Sequence, residues 1–127
     1  MNSEKIEQIL FLMCGESPEQ TEEKRLELAK MLCRDAQKFV LSALRDDIQE
    51  DEIEDNEERL NIFAAASAFY NLMLLDEANL PESITTNEIK VISREKSKKA
   101  EVILEEKRSA AAALFKNKDF YFGAVRG

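Results

Sequence analysis

From position 60 to position 75 the chain reads LNIFAAASAFYNLMLL, and only Asn61, Ser67 and Asn71 interrupt the apolar run. A helix that is apolar nearly all round is buried on most of its sides. At the usual helical rise this stretch covers about 24 Å, short of the roughly 20 apolar residues that cross a bilayer. The pattern predicts a buried central helix of a small domain. It should start near Asn56 or Glu57, run to about Glu77 and be stopped by Asn79 and Pro81. Ser67 and Asn71, four apart, share a face: either they hydrogen-bond across to a neighbouring helix or, the commoner case, they lie on the least buried side.

Other stretches are amphipathic. Ile6, Ile9, Leu10 and Met13 recur at i, i+3, i+4, i+7, which predicts a short one-sided helix, capped by Ser3 and ended by Gly15 as a left-handed residue. Ser17-Pro18-Glu19-Gln20 combines a capping serine, a proline at a first helical position and a capping-box glutamine. A long helix is therefore expected to start there and to reach about Arg45. Leu26, Ala29, Cys33, Ala36, Val40 and Ala43 give its core stripe, with Leu32 and Phe39 widening it.

After the central helix the pattern changes. Residues 84–92, ITTNEIKVI, are rich in β-branched side chains, and Ile89 and Val91 alternate with Glu88 and Lys90. This predicts a short strand or extended segment, an unpaired edge open to the tail or to another subunit. Ser93 is expected to cap a last long helix to about Lys116. Its stripe is Ala100, Ile103, Leu104, Lys107, Ala110, Ala111 and Leu114, with Lys107 laying its stem along one edge.

Together these elements predict an all-α fold: a small helical bundle around a buried central helix, with one extended segment and a C-terminal arm. Residues 1–116 would form a single domain and residues 117–127 an aromatic tail. Phe115, Phe120, Tyr121 and Phe122 place four of the nine aromatic residues at this end of the chain. Segments that stay disordered are poor in aromatics. The tail is therefore expected to be buried, either on its own domain or on a partner.

Charge narrows the function. The net charge of −8 disfavours general nucleic-acid binding, because phosphate repels such a surface. Residues 46–58, DDIQEDEIEDNEE, hold nine carboxylates and no base. They read as a solvated, mobile connector. They lack the glycine of a calcium-binding EF-hand loop; a basic patch on a partner is the other occupant considered. Arg94, Lys96, Lys98 and Lys99 form a basic patch that could attract the acidic run loosely within one chain or meet it across an interface between subunits.

Catalytic chemistry finds little support. The chain has no histidine, the commonest general base. No glycine-rich loop follows a strand. Cys14 and Cys33 lie in apolar stripes and read as small buried hydrophobes. Glu19-x-x-Glu22 and Glu52-x-x-Asp55 have the spacing of magnesium-binding pairs in all-helical nucleotide pyrophosphohydrolases. Yet the second pair lies in the charge run, and the central helix has no carboxylate between Leu60 and Leu75. The expectation is no enzyme, no metal and no cofactor. Nothing at the start looks like a signal peptide, so a cytoplasmic location without membrane contact is expected.

The order of features carries one resemblance. A short helix and a long helix precede AAASAFYNLMLL; then come ITTNEIKV, the helical stretch REKSKKAEVILEEKRSAAAALF and the aromatic end KDFYFGAV. This succession resembles the small head–tail connector (adaptor) proteins of tailed bacteriophages and prophages. The resemblance implies a structural protein that assembles with itself into a ring beneath the portal, joins head to tail and ends in the virion. Its partners would be further copies of the chain and portal and tail proteins. Ile84, Ile89, Val91, Phe120, Tyr121 and Phe122 are the candidate partner-binding residues on this reading. The alternatives are a small helical adaptor or regulator that binds one protein through its tail, and a magnesium-dependent nucleotide pyrophosphohydrolase.

Overall fold

A computed structural model describes residues 1–80 and 87–116, leaving aside the side chain of Asn87. Its helices are α1 (Ser3–Cys14), α2 (Glu23–Ala43), α3 (Glu50–Asp55), α4 (Glu57–Ala78) and α5 (Asn87–Ala111), with 3-10 turns at Pro18–Gln20 and Ala112–Leu114. The fold class is all-α. Among the described residues the one β-type pairing is an isolated antiparallel bridge between Leu44 and Phe115.

The 60–75 run lies in α4, and nearly every side of that helix is covered. Leu60, Phe63, Ala64, Ala65, Ala66 and Ala68 are wholly inaccessible to solvent. The small alanines let neighbouring backbones come close, and α1, α2 and α5 all pack against α4. Two polar residues sit in this core. Asn61 is buried, and its Oδ1 accepts a hydrogen bond from the Asn2 backbone N–H at 3.2 Å, tying the start of α1 to α4. Ser67 is buried as well, so the expectation that it marks the least covered side is corrected; Asn71 is half-buried.

Helix ends depart from the serine signals in three places. Asn2 caps α1, its side chain accepting from the backbone N–H groups of Glu4 at 2.9 Å and Lys5 at 3.3 Å; Ser3 is already helical. Gly15 ends the helix with φ 69°, the left-handed conformation expected of it. Ser17 does not cap α2. Its hydroxyl donates to Glu19 Oε2 at 2.6 Å, and the Thr21 hydroxyl donates to the Ser17 carbonyl at 2.7 Å. These bonds close the segment on itself as a 3-10 turn, and α2 begins only at Glu23. Ala29, Cys33, Ala36 and Val40 form the buried face of α2 as expected, whereas Phe39 is 43% exposed.

The acidic run is not a featureless connector. It contains α3 and the first turn of α4. Ile48 and Ile53 pack against the core. Arg45 pairs with Glu52 at 3.0 Å and Asp47 at 3.7 Å, and Lys116 with Asp46 at 3.3 Å. Three acids in the first turn of α3 also favour it through the helix dipole.

The expected extended segment is corrected too. Residues 87–92 form the first turns of α5, and Ser93 lies inside that helix; residues 84–86, with Ile84, lie outside those described. The intrinsic helix penalty of β-branched side chains is only about 0.5 kcal/mol each, small against packing. At the other end α5 gives way to the 3-10 turn and then to Phe115. Phe115 is buried, its ring 5.3 Å from that of Phe63 at a tilt of 57°. The Arg45 N–H donates to the Leu114 carbonyl at 2.9 Å, and the Lys116 N–H to the Ala43 carbonyl at 3.0 Å. Phe115 thus belongs to the core. No helix among the described residues is long and apolar enough to cross a membrane.

Candidate protein-interaction surface

Two contacts fix how α5 lies on α4. Phe115 meets Phe63 near the start of α4. The Ser97 hydroxyl, itself buried, shares its proton between Glu77 Oε2 at 2.8 Å and the Arg94 carbonyl at 2.9 Å, near the end of α4. The helices therefore run antiparallel. Beyond Ser97 the first turns of α5 extend past the densest part of the core, and apolar side chains come to the surface. Ile89 is 38% exposed, Val91 50% and Ile92 54%.

A cleft of about 220 Å³ lies where this end of α5 meets the end of α4, with Met73, Leu80, Ile89 and Ile92 among its apolar lining and Asp76 and Lys96 as its charged lining. Ile89, Ile92, Ser93 and Lys96 reach it because they stand at i, i+3, i+4 and i+7 on one helical face. Val91 and Ile92 also floor a shallower depression whose remaining lining is Glu88 and Glu95. Of the candidate residues named from the sequence, Ile89 and Val91 are thus brought to one helix end. Ile84, Phe120, Tyr121 and Phe122 fall outside the described residues. Ile92, Met73 and Leu80 were not singled out; the three-residue step from Ile89 to Ile92 was the signal for the first.

The cleft wall is braced by an arginine fork. Arg25 of α2 donates from Nε to Glu16 Oε1 at 2.8 Å and from Nη2 to Glu16 Oε2 at 2.9 Å. It also donates from Nη1 to Asp76 Oδ1 at 2.8 Å and from Nη2 to Asp76 Oδ2 at 3.0 Å. One planar cation thereby joins the α1–α2 connection to the end of α4. The hydrogen bonds that Arg25 donates to Glu16 and Asp76 push the guanidinium pKa further above its ordinary value. Replacing Arg25 by Met should lower the unfolding free energy by about 1–2 kcal/mol, a discounted value because both carboxylates are about a third exposed. Arg25→Lys should recover less than half of that, since an ammonium cannot serve both carboxylates as a fork. Urea titration of the two variants checks both numbers.

The thiols behave as hydrophobes. Both are free. Burial pushes Cys33 up to about 12, and burial with the nearby Glu16 carboxylate pushes Cys14 up to about 11, from 9.0. At pH 8 the folded chain then holds about a hundredfold less Cys14 thiolate than the unfolded chain, and iodoacetamide should alkylate it at least that much more slowly. The same shifts set a pH dependence. Their stabilising effect is complete below pH 9, where both states keep the thiol protonated. It is lost as pH rises towards 11 to 12, because the unfolded chain releases its protons first. Denaturation midpoints at pH 8 and pH 10.5, for the native chain and a Cys14→Ala/Cys33→Ala variant, measure this loss.

The carboxylate pairs do not converge on facing helices. Glu19 lies in the 3-10 turn, Glu22 immediately before α2, and Glu52 and Asp55 in α3, where Glu52 is held by Arg45. Among the described residues no group of three or more Cys, Asp or Glu side chains is placed to hold a metal ion. Comparison with family models, with characterised proteins and with solved structures returned no match for this chain.

Proposed function

We propose that this chain is a structural assembly subunit, a head–tail connector of a tailed bacteriophage or prophage. In this reading it forms a ring of identical copies beneath the portal and binds portal and tail proteins. The observation that carries the reading is the exposure of Val91 and Ile92 beside an open apolar cleft, on a helix that buries Ser97, Ala100, Leu104 and Ala111 on its other side. Scattered exposed hydrophobes need no explanation, but a contiguous apolar strip next to a cleft is what a docking surface requires. The helices around α4 serve as a rigid hub, and the start of α5 and residues 117–127 act as peripheral contacts. A net charge of −8 suits a conduit for DNA, because repulsion keeps the passing duplex from adhering.

Light scattering over a range of concentrations tests the proposal. A connector gives assemblies that grow with concentration towards a fixed multiple of the 14.5 kDa chain. A mass that stays at one or two chains supports instead a small adaptor that binds a single partner.

A further inference from the structure

Once folded, the acidic run divides in two. Asp46, Asp47 and Glu52 meet the cations of Lys116 and Arg45. Glu54, Asp55, Glu57 and Glu58 meet no cation among the described residues, and all four line one groove of about 540 Å³ where α1 passes the junction of α3 and α4. We propose that this groove binds an extended, arginine-rich peptide segment of a partner protein. Such binding does not depend on ring formation. The groove lies at the start of α4, the opposite end from the cleft lined by Ile92.

Charge sets the sign of the partner. Lys5 is the one cation in the lining, against four carboxylates. The surrounding charges do not reverse that balance. Glu4 and Glu7 on α1 and Glu50 and Asp51 on α3 add acids, while Arg59 and the Met1 amine add two cations, neither of them in the lining. The positive end of the α4 dipole supplies only about half a charge. A segment of opposite sign is favoured there.

A buried amide separates a peptide from other cations. Asn61 lines the same groove and is 2% exposed. Its Oδ1 accepts from the Asn2 N–H at 3.2 Å, which turns Nδ2 the other way. Nδ2 has no acceptor among the described residues. A buried donor calls for one. A metal ion or a polyamine brings positive charge but no acceptor, whereas a peptide brings backbone carbonyls together with its cations. Ile9, half-buried in the lining, offers an apolar seat for the aliphatic stem of an arginine, whose guanidinium pairs with a carboxylate through two hydrogen bonds. The volume falls within the roughly 300–1,000 Å³ of ordinary ligand pockets.

The test uses the full chain and a fluorescein-labelled peptide of alternating arginine and glycine. Fluorescence anisotropy at physiological salt should show saturable binding of one peptide per chain. Glu54→Gln, Glu57→Gln and Glu58→Gln together should weaken it about tenfold or more. Glu22→Gln, Glu23→Gln and Glu27→Gln remove the same charge near Arg25, which is bonded to Asp76 at the far end of α4. That site is roughly 28 Å from Glu57 at the helical rise, beyond the screening length of about 8 Å, so this control should change affinity less than about twofold. Circular dichroism melts check that both variants stay folded. NMR of the native chain gives a reading free of mutation: the Asn61 side-chain amide protons should move downfield as peptide is added. Spermine, a flexible polycation without a carbonyl, should displace the peptide about tenfold less well than unlabelled peptide does. Absence of saturable binding, equal weakening by the two triple variants, an unmoved Asn61 amide signal, or spermine competing as well as the peptide would each overturn the proposal.

Discussion

Replacing Phe63 by Ala should lower the unfolding free energy by about 3–5 kcal/mol, a large part of the 5–15 kcal/mol that holds a typical domain together. Phe63 is wholly buried at the heart of α4, and Phe115 rests on its ring. Truncation removes apolar area from the core, leaves a cavity and takes away the partner of Phe115. That last loss spreads. Phe115 sits in the short backbone pairing that joins the end of α5 to the end of α2, so the variant should also expose Phe115 and weaken that pairing. Leu12→Ala serves as the control, because Leu12 is 80% exposed and should change stability by no more than about 0.5 kcal/mol. Equilibrium urea unfolding followed by far-ultraviolet circular dichroism gives both values. A Phe63→Ala loss below about 1 kcal/mol would contradict the placement of this ring in the core.

Leu104→Ala should cost about 2–5 kcal/mol, while Val102→Ala on the same helix should be neutral or slightly stabilising. Leu104 is 2% exposed and Val102 65% exposed. The contrast isolates burial, since both residues are aliphatic and lie in the same turn of α5. Alanine also forms helix more readily than valine, so at an exposed site nothing opposes a small gain. Similar losses at both sites would mean that α5 is covered on both faces and would remove the free surface on which the interaction reading depends.

How far the sequence alone reveals this molecule differs from element to element. α4 was legible because its apolar content is dense enough to override any choice of cap or turn. The buried face of α2 was legible for the same reason: Ala29, Cys33, Ala36 and Val40 keep a helical period that no strand shares. The start of α2 was not. Ser17-Pro18-Glu19-Gln20 has the residues of a helix start, but the side chains of Ser17 and Thr21 bond within the turn instead. Residues 87–92 show a competition between two periods. Ile89 and Val91 alternate like a strand, and Ile89 and Ile92 also continue a helical stripe towards Ala100. Packing of that stripe on α4 favours the helix over the small intrinsic preference of isoleucine and valine for strands. The acidic run hid α3 because the anchors, Ile48 and Ile53, are only two among thirteen positions, and their cations, Arg45 and Lys116, come from outside it. The interaction surface was half legible. Ile89 and Val91 were picked out as edge residues of a strand, and they lie at the surface as part of a helix.

The most direct measurement of the central claim is negative-stain electron microscopy of the purified native chain at high concentration. Closed rings of uniform diameter with a central opening are expected, lost when Val91 and Ile92 are both changed to serine. A field of single small particles at every concentration, with a monomer mass in solution, would contradict it.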